Sequence, residues 1–221
     1  MSLWIELVIV FFLIPLLVYC RIIPIRWSIP LLVLGSAGAG AIALTARVTP
    51  AQVGIGAATA EQTARCLAAG LGVWLVAQLA FSAPRLRSGE PVFPFVAKHP
   101  RIFAALVIAY AVSVVAQEYL FRGYFFWRYA GLGSPAALFA LNVLAFGWVH
   151  IIFRSWVSVA ATVLGGVIFT GLFLAYHSFV GICVVHMAFG LSIFAMGYGR
   201  YFLTESVEPA RREARLATAR A

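Results

Sequence analysis

Apolar residues run along this chain in unbroken stretches, and the polar residues gather between them. Seven stretches stand out, at 3–19, 29–46, 64–81, 103–126, 135–153, 156–176 and 180–201. Each comes close to the roughly 20 residues of α-helix that a hydrocarbon core about 30 Å thick requires. A spanning backbone has to satisfy its own hydrogen bonds, so only helices and closed barrels cross a bilayer. Barrel strands would alternate apolar and polar positions over about ten residues, and these stretches do not alternate. The pattern predicts an all-α fold, a polytopic transmembrane helix bundle of about seven spans, with about six to eight compatible with the run lengths. In the second stretch Gly35, Gly38 and Gly40 weaken a helix but favour close approach of its neighbours. No internal repeat is visible, which counts against an inverted-repeat transporter.

Composition sharpens the picture. Hydrophobic residues make up 63% of the 221 positions and charged residues 10%, against roughly 45–50% and 25% in soluble domains. A water-soluble fold of this size could not hide so much apolar surface. The net charge of +9 marks topology rather than nucleic-acid binding, because no basic face is interleaved with aromatics. Alternate connections hold Arg21 and Arg26, then Arg85, Arg87, Lys98 and Arg101, then Arg154, then Arg211, Arg212, Arg215 and Arg220. The intervening ones hold only Arg47, Arg65 and Arg128. By the positive-inside rule this puts the N-terminus outside and the basic tail in the cytoplasm, the expected setting being a bacterial inner membrane. Residues 82–101, with Pro84, Pro91, Pro94 and Pro100, read as a cytoplasmic loop with room for an interfacial helix. The first stretch lacks a basic n-region and a small-residue cleavage site, and reads as a retained span. Cys20, Cys66 and Cys183 share no close spacing, so neither a zinc knuckle nor a disulfide framework is expected.

Charges inside a span default to a functional hypothesis. Glu118 and Arg122 lie four apart in the fourth stretch, so they share a helix face and can pair. A structural ion pair is the competing reading. Asn142, Phe146 and His150 form one stripe on the fifth stretch, and His186 sits inside the seventh. One histidine in a span is usually a packing residue; two on different spans, beside a buried acid and arginine, shift those odds. His99 and His177 fall at loop positions and read as solvated. Tyr119, Phe121, Tyr124, Phe125, Phe126 and Trp127 read as an interfacial aromatic belt. Counted from a turn at Gly133, Glu118 and His150 lie about 23 and 26 Å along an ideal helix, and can share one level. His186 is about 13 Å from its own turn, and joins them only if that turn is sunk or the helices tilt.

These residues resemble the motifs of the type II CAAX prenyl endopeptidase and bacteriocin-processing (CPBP) family of intramembrane glutamic peptidases. Glu-Glu-x-x-x-Arg, Phe-x-x-x-His and His-x-x-x-Asn correspond here to Gln117-Glu118-x-x-x-Arg122, Phe146-x-x-x-His150 and His186-x-x-x-Gly190. The small-residue run from Gly165 and Gly166 to Gly171 is also similar. The resemblance implies a catalytic helical core at 102–202, between N-terminal spans with a Pro-rich loop at 1–101 and a basic cytoplasmic tail at 203–221. It implies that the first Glu, with the histidine at 150, activates a water that attacks the scissile carbonyl of a membrane-anchored protein or peptide. The histidine at 186 and the Asn would then hold the oxyanion, with no cofactor.

Two positions depart from that pattern. Glutamine at 117 cannot accept a proton, so general-base catalysis is lost there. Three readings stay open: an inactive Glu-to-Gln form of a peptidase, an active divergent branch with Glu118 as base, or a pseudoenzyme. Gly190 removes an oxyanion donor, worth about 10²–10³ in rate; Asn142 is a polar candidate for that support. A zinc-dependent membrane peptidase is a further alternative, with Glu118, His150 and His186 as ligands, although no His-Glu-x-x-His spacing occurs. A serine site is disfavoured, because no Gly-x-Ser-x-Gly occurs. From another class, the chain could be a non-catalytic CPBP-like scaffold or immunity protein. The sequence leaves the oligomeric state open.

Overall fold

The computed structural model describes residues 2–201; the basic tail expected at 203–221 lies outside them. Among the described residues all regular structure is helical. All seven predicted stretches are helices. They comprise α1 (Leu3–Tyr19), α2 (Ser28–Thr45), α3 (Ala60–Ser88), α5 (Pro100–Arg128), α6 (Pro135–Phe153), α7 (Trp156–Tyr176) and α8 (Phe179–Ala195). The short α4 (Pro94–Lys98) lies between α3 and α5. Five of these helices, α2, α3, α5, α6 and α7, are long and apolar enough to cross a bilayer, α2 being counted from its lead-in turn at Ile25; α1 and α8 are shorter apolar helices.

Polar side chains set the helix starts. Ser2, Thr59, Ser134, Ser155 and Ser178 cap α1, α3, α6, α7 and α8 by accepting a first-turn N–H. Gly89 ends α3 in the left-handed region at φ 71°. That stop comes later than the sequence predicted, and the expected loop at 82–101 shrinks accordingly. Pro84 sits in the final turns of α3, where it removes one backbone donor. Arg85 and Arg87 in the last turn favour the helix terminus, and Arg85 donates to the Val92 carbonyl at 3.1 Å.

Helix α6 packs along α7, α8 lies against α3 and α5, α2 against α5, and α1 against the end of α6. Trp148 fixes that last contact by donating to the Phe12 carbonyl at 3.0 Å. The aromatic run after Glu118 is not a belt at the membrane surface. Phe121, Tyr124 and Phe125 are buried with Phe11, Tyr129 and Phe146. Phe121 stands edge-on to Phe11 at 5.0 Å and to Phe146 at 5.2 Å. Lipid tails are as apolar as these rings, so shape-matched van der Waals packing holds them together. Gly35 and Gly38 also differ from expectation: no atom would touch a Cβ there, and both border a cavity instead of a close helix crossing.

Candidate functional site

Helix α5 changes pitch where its charged residues begin. Tyr119–Tyr124 is a π-helical stretch directly after Glu118, and the Phe125 N–H bonds back to Leu120. Such insertions loosen the backbone ladder and occur often at functional sites. Asn142 of α6 bonds to this stretch. It donates to the Phe121 carbonyl at 2.6 Å and accepts from Thr170 of α7 at 2.9 Å. Both ends of the Asn142 amide are thereby bonded, and its side chain lines neither cavity described below. The placement gives no access for the oxyanion support expected of it.

Glu118 and Arg122 are both fully buried. Arg122 Nη1 donates to Glu118 Oε1 at 3.3 Å, and Nε lies 3.3 Å from Oε2 as an ion pair without hydrogen-bond alignment. Aromatic faces surround the guanidinium, whose carbon lies 4.3, 5.7 and 5.9 Å from the ring centres of Phe146, Phe169 and Phe121. The ring quadrupoles favour a cation in that cage. Glu118 Oε1 also accepts from His186 Nδ1 at 2.5 Å. The acid on α5, the arginine on the π turn and the histidine on α8 therefore form one buried chain.

His186 reaches Glu118 for two reasons that the sequence count missed. Helix α5 stops at Arg128 rather than near Gly133, which places Glu118 about 15 Å from that end at the helical rise. The turn before α8 is packed against α3, with Ser178 buried and held to Thr63 at 2.9 Å, and His186 lies about 12 Å beyond it. The two depths now agree. His150 sits in the 3₁₀ end of α6, where its Nδ1 donates to the Phe146 carbonyl at 2.7 Å. A carbonyl only accepts, so Nδ1 carries the hydrogen and Nε2 of the neutral ring keeps a lone pair. In His186, Nδ1 faces the carboxylate, and Nε2 makes no hydrogen bond to a described residue.

Two cavities meet at these residues. One, of about 390 Å³, lies among α1, α2 and α5 and is bordered by Val10, Ile14, Leu32 and Gly35. The other, of about 460 Å³, holds Tyr110, Phe146, His186 and Gly190. Ser113, Gln117 and His150 line both. Gln117 donates to Ser113 at 2.9 Å, and its carbonyl oxygen makes no hydrogen bond to a described residue. Glu118 and Arg122 line neither cavity. The histidines and Gln117 therefore meet whatever enters, while the ion pair stands behind them. For a metal, Glu118 already spends Oε1 on His186 Nδ1. Among the described residues no three His, Cys, Asp or Glu side chains gather at one point.

The sequence reading passed over Glu6. Buried in the first turns of α1, it accepts from Tyr124 at 2.6 Å, Tyr129 at 3.1 Å and Arg128 at 3.1 and 2.7 Å. An acid at the edge of an apolar run was the available signal, and Arg128 is its partner rather than a free loop charge. Tyr110 was missed as well, since one tyrosine in a span carries no signal before its neighbours are known.

Residues 99–192 match the family model described as Type II CAAX prenyl endopeptidase Rce1-like, which bears out the resemblance carried by the three motifs. No curated protein and no solved structure matches the chain.

Proposed function

On the premise that residues 99–192 carry a CAAX-type intramembrane protease fold, we propose that this chain is an intramembrane endopeptidase. Its substrate is a membrane-anchored protein or peptide, and it needs no cofactor. The observation that carries this reading is that His150 and His186 line one cavity with both Nδ1 atoms already committed.

A water held between His150 Nε2 and the free Gln117 oxygen gives its proton to Nε2, and its oxygen bonds to the scissile carbonyl carbon. The carbonyl electron pair moves to oxygen, where Nε2–H of His186, whose Nδ1 is bonded to Glu118, stabilises it. Collapse breaks the C–N bond, and His150 returns its proton to the leaving amine. Glu118 and Arg122 are positioning residues, because Glu118 holds His186, Arg122 holds Glu118, and neither lines the cavity. Glu118 is thus a poor candidate for the base itself. Gln117 orients water without removing its proton, so a Glu at 117 would add a base.

Gln117 also supports the rival reading, a CPBP-like scaffold or immunity protein. Reconstitution in liposomes with a panel of tagged, membrane-anchored substrates separates them. The chain as it stands is expected to cut, with His150→Ala lowering the rate about 10²–10⁴-fold while remaining folded. Cleavage by Gln117→Glu alone would make this chain a silenced peptidase. No cleavage by either would favour the scaffold. The setting we infer is a bacterial inner membrane, N-terminus outside and C-terminus cytoplasmic, from the Arg asymmetry of the connections.

A further inference from the structure

One hydroxyl in the larger cavity has no partner among the described residues. Tyr110, two turns before Glu118 on α5, stands edge-on to His186 at 6.0 Å and to Phe194 at 5.8 Å. Its hydroxyl makes no hydrogen bond to a described residue, and it lines the cavity with Gln117, His150 and His186. A tyrosine kept only for packing among these rings would do better as phenylalanine. An unbonded hydroxyl in apolar surroundings is a cost that a polar ligand would relieve.

The space that Tyr110 fills belongs to a missing side chain. A Cβ built on Gly190 would overlap the Tyr110 hydroxyl and the adjoining ring carbons. Gly190 follows His186 by one helical turn, at the motif position where the resemblance expects Asn. The glycine admits the phenol, and the phenol brings a neutral donor to the same spot from another helix. Two ring contacts hold it in place, so the donor is oriented before a substrate arrives.

We infer that Tyr110 is a further catalytic residue whose hydroxyl, beside His186, donates a hydrogen bond to the substrate carbonyl oxygen where a side chain at 190 would have stood. The inference rests on the peptidase reading above. It explains how the site keeps a neutral donor beside His186 without a side chain at 190.

Four variants test it in liposomes, with kcat and KM measured separately. Tyr110→Phe keeps the ring and is expected to lower kcat about 10²–10³-fold with KM nearly unchanged. Gly190→Asn alone should be inactive, because its side chain collides with the ring. The double variant Tyr110→Ala with Gly190→Asn gives the amide room, and should cut at least about tenfold faster than Tyr110→Ala alone. Tyr110→Phe cutting as fast as the parent would overturn the inference and leave the peptidase reading intact. Should the parent cut nothing, affinity for a membrane-anchored peptide aldehyde decides. A tenfold or greater loss in Tyr110→Phe, on the order of one lost hydrogen bond, supports the donor while the peptidase reading falls. Equal binding by the two proteins, or none, overturns the donor as well.

Discussion

Removing Glu118 should cost more than removing Arg122, although they form one ion pair. Glu118→Leu leaves a fully buried guanidinium whose Nε and Nη2 already lack hydrogen bonds. Its remaining support is the cage of Phe146, Phe169 and Phe121, which is present before and after the change. Breaking a buried pair from one side costs about 3–5 kcal/mol. Arg122→Met is different, because Glu118 keeps His186 as a partner at 2.5 Å. The loss is then nearer the about 1–3 kcal/mol of an unsatisfied buried group. The double variant removes both charges, so it should be less destabilised than Glu118→Leu alone, with a coupling of about 1–3 kcal/mol. These are upper figures, since helices separated within a membrane also find partners for their polar groups. Unfolding in a detergent–SDS titration, followed through tryptophan fluorescence, measures all three. A Glu118→Leu cost below about 1 kcal/mol, or a double variant that costs the sum of the singles, would refute a pair held by charge in a dry cage.

Three further changes probe the surroundings. Asn142→Leu should lose about 1–3 kcal/mol in the same titration, because the Phe121 carbonyl and the Thr170 hydroxyl each lose a buried partner. Gly123→Ala places a Cβ 2.8 Å from the Val53 carbonyl, backbone that yields little, and should cost about 1–3 kcal/mol; a neutral result would mean that the 50–53 turn moves freely. Incubation with a zinc chelator should leave cleavage unchanged; inhibition reversed by added zinc would return Glu118, His150 and His186 to the role of ligands.

Much of the fold was legible because a bilayer imposes a simple rule on sequence. Continuous apolar runs become helices, so all seven predicted stretches are helical and five of them are long and apolar enough to span. Glu118, Arg122 and His150 stood out for the same reason, as polar groups in segments that penalise them. The sequence could not show which of these groups touch one another. Pairing of Glu118 with His186 depends on where α5 stops and on a buried turn at Ser178, both settled by contacts between distant helices. The aromatic run at 121–125 has a composition suited to a membrane surface, and only its neighbours Phe11, Tyr129 and Phe146 make it core. Asn142 likewise lies on the stripe of His150, yet its bonds are claimed by the Phe121 carbonyl of the π turn and by Thr170 of α7. Gly190 and Tyr110 lie far apart in sequence and on different helices. A missing side chain and the hydroxyl that fills its space become one feature only when α5 and α8 are packed. Local solvation penalties are written residue by residue, whereas a cavity and its donors exist only between helices.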